Sequence, residues 1–255
     1  MLRFFRSLRG GLLEEKKFSK YLLYAAGEIV LVVVGILIAL QINNANDARK
    51  ERLKEVQYLE NIRTDLGINI QEMDRYLASR QAGIEAAQRI MAHFEGEPVT
   101  DYDAFNADGV SIYGWQKFYQ TNNTFQELVN SGNLALISNQ SIKTGLMDLE
   151  SLYKTMKSEE DHFRYDTEKL IYEPLYELMD LRQIVGNFEY VSSGGLSGRE
   201  IPLDAVFFED YLQSQKLKNG FSMTILEFGV MNAQMTTMKV MSEELIAAIG
   251  EEIAR

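Results

Sequence analysis

At 255 residues, with 46% apolar and 25% charged side chains, the chain can hold a membrane segment and one further domain with a core, so disorder is not its default state. The absence of cysteine excludes disulfides, thiolate metal sites, a cysteine nucleophile and a lipid-bearing cysteine. A formal net charge of −11 argues against a nucleic-acid partner, because phosphate binding needs a basic surface. Proline is scarce, at three residues, and the polar part is rich in Leu, Ile, Met, Glu, Lys and Gln, which lose little side-chain freedom in helices. The composition predicts an all-α protein.

In residues 1–20, Leu2, Phe5 and Leu8 alternate with Arg3, Arg6 and Arg9 at near-helical spacing, and Gly10 and Gly11 follow. The pattern suits a short helix on an anionic leaflet, or arginines that only set topology. From Tyr21 to Ile42 the chain is apolar, interrupted by the single carboxylate of Glu28. As a helix this run spans roughly 30 Å, the thickness of a bilayer's hydrocarbon core, which predicts a transmembrane helix over 21–42 with Tyr21 and Tyr24 at one interface. Residues 1–20 carry a net charge of +4, and residues 43–255 carry −14. That asymmetry places the basic segment in the cytoplasm and the long acidic part across the membrane. A cleaved signal peptide would have a shorter run ending in small residues, whereas this one ends in Gln41, Ile42, Asn43 and Asn44.

Glu28 is costly inside a membrane unless it is paired, neutral or near water. Gly35 and Ala39 lie within about 20° of it on a helix, so it shares a face with a small-xxx-small pattern that lets helices approach closely. Gln41, Asn43 and Asn44 could add interhelical hydrogen bonds. The readings left open are a helix-pairing face, a carboxylate reaching the headgroups, and an ion or proton path. The partners expected are the lipid bilayer and a second copy of the chain, with a second membrane protein as the alternative.

Beyond the run, helical spacing continues through Leu59, Ile62, Leu66, Ile70, Met73, Leu77, Ile84, Met91 and Phe94, predicting a stalk and one long amphipathic helix or two joined ones. Gly96 and Pro98 break it. Thr100 with Asp103, and Thr124 with Glu127, are spaced as capping boxes for two short helices, the second stopping at Ser131, Gly132 and Asn133. A further long helix should start near Ser138 and run to Leu170, with Pro174 kinking or ending it. The glycine-rich span from Gly186 to Pro202 reads as a loop, with a short extended piece at Phe188 to Val191. A short helix and a long one, roughly Asn219 to Ile253, close the chain. The predicted architecture is a transmembrane helix continuing into a stalk and a periplasmic bundle of long antiparallel helices, with segments 1–20, 21–42 and 43–255.

The chemical inventory is thin. Glu159 and His162 reproduce the Glu-x-x-His spacing of carboxylate-bridged di-iron bundles, and Asp166 lies a turn further on. That site needs the motif twice, and around His93 the corresponding residue is Ile90. Asp101, Asp103, Asn106, Asp108 and Gly109 resemble a calcium loop, but aligning the glycine puts Ala104 and Trp115 where carboxylates are required. Gly194, Gly195 and Gly198 lack the spacing of a phosphate-binding loop. The methionines from Met223 through Met231, Met235, Met238 and Met241 read as bundle core or an adaptable binding face. The sequence predicts no catalytic residue, metal or cofactor.

The stretch KFSKYLLYAAGEIVLVVVGILIALQINNAN, Lys17 to Asn46, resembles the N-terminal signature of a Bacteroidota family of single-pass inner-membrane proteins carrying a domain of unknown function. TFQELVNSGNLALISN, Thr124 to Asn139, is similar to that family's second recurring block. Where the family pattern has a Trp after the two asparagines, this chain has Ala45. The resemblance implies a Gram-negative envelope location and a helical periplasmic domain, and supplies no activity. The expectation is a self-associating, non-enzymatic scaffold or sensor anchored in the inner membrane; the alternative is an accessory subunit of a transporter or channel that uses Glu28.

Overall fold

The computed structural model describes residues 18–255, with side chains from Leu22 onward, so the expected amphipathic segment at Leu2 to Arg9 and the side chain of Tyr21 lie outside the described residues. The described chain is helical, with no strand. Helix α1 (Phe18–Phe94) is unbroken, settling the choice between one helix and two. It is followed by α2 (Tyr102–Tyr113), α3 (Asn123–Asn130), a 3₁₀ turn (Asn133–Leu136), α4 (Gln140–Thr167), a π turn (Glu168–Tyr172) and α5 (Glu173–Leu178). Helices α6 (Leu181–Ser192), α7 (Glu209–Gln213) and α8 (Gln215–Ile253) complete the chain.

The chain divides into residues 1–57 and 58–255. In the first unit, the described side chains from Leu22 to Ile42 are almost all exposed, among them Leu23 at 76%, Leu31 at 72% and Ile42 at 66%. Among the described residues, α1 is the one helix long and apolar enough to cross a membrane.

The second unit is a bundle of α4, α8 and the part of α1 from Tyr58 onward. Its core holds Leu59, Ile62, Met73, Phe118, Leu128, Ile142, Met156, Met235 and Met238, each at most 2% exposed. Helix α8 runs antiparallel to α1, since Lys239 reaches Asp74 (2.6 Å) and Ser222 reaches Met91 (3.6 Å). It runs antiparallel to α4 as well, since Asn139 meets Glu252 (3.0 Å) and His162 meets Glu227 (2.9 Å). Helices α1 and α4 are parallel to each other. The long connection returns along them through the non-helical segment 115–122, so the antiparallel expectation holds for α8 against each of the other two only. The C-terminal methionines are bundle core: Met231 and Met235 are fully buried.

Local boundaries differ from the sequence reading where a side chain is used elsewhere. Asp101, not Thr100, caps α2 by accepting the Ala104 N–H (3.0 Å). Asp103 instead accepts from Asn187 (2.7 Å). Helix α3 begins after Asn122 without a side-chain cap, because Glu127 accepts the Tyr58 hydroxyl (2.8 Å) and the Thr124 N–H is met by Asp65 (3.4 Å). Asn139 caps α4 through the N–H groups of Ser141 and Ile142 (3.0 and 3.3 Å). Pro174 has no N–H to give to Leu170, and the chain absorbs this in the π turn before helix resumes at Glu173. Gly220 of α8 packs against that turn, where a Cβ would lie 2.6 Å from Ile171 Cγ1 and 3.1 Å from the Leu170 oxygen.

The loop expected from Gly186 to Pro202 is overturned as far as Ser192, and with it the extended piece at Phe188 to Val191: these residues are helical, in α6. Their aromatic and β-branched side chains favour a strand locally. Tertiary contacts reverse that preference. Asp180 caps the helix through the Arg182 N–H (3.0 Å), and Ile184 and Asn187, one turn apart, are buried. Asn106 of α2 donates to the Ile184 carbonyl (2.9 Å) and to Asn187 Oδ1 (2.8 Å), while Asn187 also donates to the Ile201 carbonyl (3.0 Å). The loop after α6 keeps its expected glycines for a geometric reason. Gly198 has φ +80°, and a Cβ there would lie 2.5 Å from the Gly186 oxygen.

Candidate functional site

The segment 115–122 lies between α1 and α4 without a neighbouring strand, so its backbone groups need side-chain partners. Tyr76 donates its hydroxyl to the Lys117 carbonyl (2.9 Å), and the Asn69 amide bonds both the carbonyl and the N–H of Thr121 (2.8 and 2.7 Å). From α4, Lys157 donates to the Phe118 carbonyl (3.0 Å) and Glu160 accepts the Phe118 N–H (2.9 Å). Glu160 is fully buried, and it also pairs with Arg80 of α1 and with Lys157 (2.6 Å). Burial pulls the Arg80 guanidinium down from its usual range while Glu160 holds it up. Its Nε and Nη1 have no hydrogen-bond partner, and the guanidinium carbon lies 5.8 Å from the Tyr76 ring, within cation–π range. The Phe118 ring meets Tyr76 and Tyr153 edge-on at 5.5 and 6.1 Å. The arrangement gives each oxygen of a buried carboxylate a donor and clamps the segment in place.

Two to six residues beyond Glu160 the chemistry changes. His162 and Asp166, one turn apart on α4, come together with Glu227 of α8, and one ligand atom from each lies within 4.8 Å of the other two. His162 is exposed, Asp166 half-buried and Glu227 buried at 7% exposure. His162 Nδ1 lies 2.9 Å from Glu227 Oε1, an ion pair when the ring is protonated, and Glu227 has no further hydrogen-bond partner among the described residues. Burial raises the Glu227 carboxyl above its usual range and the Asp166 charge adds to this, with His162 opposing and Glu159 adding a smaller push upward. The next residues along each helix, Phe163 and Phe228, pack at 4.7 Å in a small apolar cluster with Met231. A partly desolvated acidic site beside an imidazole is what this arrangement supplies.

The residues singled out by sequence fall in two places. Glu28, Gly35, Ala39, Gln41, Asn43 and Asn44 all lie exposed on the unbroken α1, in the first unit, so the helical spacing that groups Glu28, Gly35 and Ala39 applies there. Among the described residues nothing approaches within 4 Å of where a Gly35 Cβ would sit, and Asn43 donates to Asp47 (3.1 Å). The calcium-like run is dispersed: Asp101 caps, Asn106 is buried against α6, and Asp108 pairs with Arg89 (2.6 and 2.8 Å). His93 Nδ1 lies 3.0 Å from the Glu97 carbonyl oxygen, away from His162. Glu227 is the residue sequence reasoning missed. The pair of His162 and Asp166 was visible, but a search for a second Glu-x-x-His has no means of finding a single carboxylate on a helix that starts some fifty residues later.

No curated protein and no solved structure matches the chain. A family model described as a family of unknown function (DUF6090) matches residues 28–160, just over half of the chain. The matched span takes in α1 from Glu28, the clamped segment and α4 as far as Glu160, and it stops before His162, Asp166 and Glu227. The chain belongs to this family of unknown function.

Proposed function

We propose that the chain is a membrane-anchored, self-associating scaffold or sensor without catalytic activity, its basic N-terminus cytoplasmic and residues 43–255 in the periplasm. The observation that carries this reading is the apolar span from Leu22 to Ile42, whose side chains no other described residue covers. A continuous apolar surface of that size is costly in water and matches a bilayer in length. The charge asymmetry across the span supplies the orientation. Within the bilayer, the face of Glu28, Gly35 and Ala39 is the pairing surface, where small residues allow a second helix close enough to share the carboxylate's hydrogen bonds.

The test is native mass spectrometry of the full chain extracted from its own membrane in mild detergent, beside a variant carrying Gly35→Leu and Ala39→Leu. The reading expects a homo-oligomer that dissociates in the double variant. A monomer in both samples would overturn self-association. A stable complex with a second membrane protein would make the chain an accessory subunit instead.

A further inference from the structure

We infer that His162, Asp166 and Glu227 form a binding site for one divalent first-row transition metal ion of the Zn²⁺ class. This goes beyond the anchoring reading and stands without it, since every residue it uses lies in the bundle. The first support is placement. Ligand atoms bound to one ion at about 2.0–2.2 Å lie roughly 3–4.4 Å apart, and the three side chains already offer atoms within 4.8 Å of one another. Small rotations of the exposed His162 and half-buried Asp166 close the difference.

The second support is Glu227. A buried carboxylate ordinarily collects hydrogen-bond donors, because leaving its oxygens unpaired costs more than an exposed group would. Beyond the His162 ring Glu227 has none, although both oxygens are inaccessible to water, and the other charges acting on it are the carboxylates of Asp166 and Glu159. The 2.9 Å approach of His162 Nδ1 to Oε1 is also close to the separation of two neighbouring ligands on one cation. A divalent ion would neutralise the two carboxylates together and give Glu227 its missing partner.

The donor set chooses the class. One imidazole nitrogen with two carboxylate oxygens is too nitrogen-rich for Ca²⁺ or Mg²⁺, which take oxygen ligands. Without thiolate or thioether it is too hard for Cu⁺. Three protein ligands on a surface open at His162 leave further positions to water.

The test uses the untagged full chain in detergent, stripped with a chelator and titrated calorimetrically with ZnCl₂. One ion per chain is expected. His162→Ala and Glu227→Gln should each weaken binding by about tenfold or more. His93→Ala should leave it unchanged, and a large excess of Mg²⁺ or Ca²⁺ should not compete. His162 is exposed, so its alanine variant tests the site even if Glu227→Gln disturbs the fold. No saturable uptake, uptake that survives His162→Ala at full affinity, or ready displacement by Mg²⁺ would overturn the assignment.

Discussion

Glu160 of α4 and Glu227 of α8 are both buried glutamates in one bundle, and the protein treats them in opposite ways. Glu160 is surrounded by Arg80, Lys157 and the Phe118 N–H, two cations and a neutral donor for two oxygens. Glu227 feels the charges of Asp166 and Glu159 and has a single imidazole, His162, at 2.9 Å as its one close polar partner. The first arrangement is complete within the chain and holds two helices and a backbone segment in register. The second gathers negative charge around a desolvated carboxylate, an arrangement that favours a cation supplied from solution. Burial of a carboxylate therefore does not by itself distinguish a structural from a binding role; the sign and geometry of its neighbours do.

The contrast can be broken most forcefully at the clamp. Glu160→Gln should destabilise the protein by about 3–5 kcal/mol, because it leaves the Arg80 charge buried without its partner. Replacing both, as Arg80→Met with Glu160→Leu, should cost less than the two single changes summed. Urea unfolding of the four proteins measures both statements. Next in size, Asn69→Ala removes both partners of Thr121 and should cost about 1–3 kcal/mol, with faster hydrogen exchange at the Thr121 amide. Gly220→Ala should also destabilise. A helix interior favours Ala over Gly by roughly 1 kcal/mol, but the new Cβ would press on the Leu170 carbonyl and Ile171, and such overpacking costs about 1–3 kcal/mol. Smallest of all, Glu227→Gln in chelator-treated protein should change stability by less than about 1 kcal/mol and in the stabilising direction, since it removes a desolvated charge whose one close partner is an exposed imidazole.

Much of this fold is written in local signals. The period of Leu59, Ile62, Leu66, Ile70 and Met73 marks the packed part of α1, and Ser131, Gly132 and Asn133 mark the end of α3, because each depends on neighbours within one or two turns. The capping residues were harder to read, since Glu127 and Asp103 could cap locally but are drawn to Tyr58 and Asn187, residues 69 and 84 positions away. Helix α6 was misread for the same reason: the preference of Phe188 to Val191 for a strand is overridden by contacts of Ile184 and Asn187 with α2. The clamp on Phe118 left no trace in periodicity, because a non-helical segment between helices has none. Of the proposed metal site, the half on one helix was legible and the half contributed by Glu227 was not, since its distance from His162 is set by how α8 packs on α4.

The most direct measurement is the thermal stability of the full chain in detergent, with and without Zn²⁺, for the unaltered protein, Glu160→Gln and Glu227→Gln. If the two glutamates differ as described, Zn²⁺ raises the melting temperature of the unaltered protein and of the weaker Glu160→Gln, and raises that of Glu227→Gln by distinctly less. A rise of equal size in all three, or in none, would contradict it.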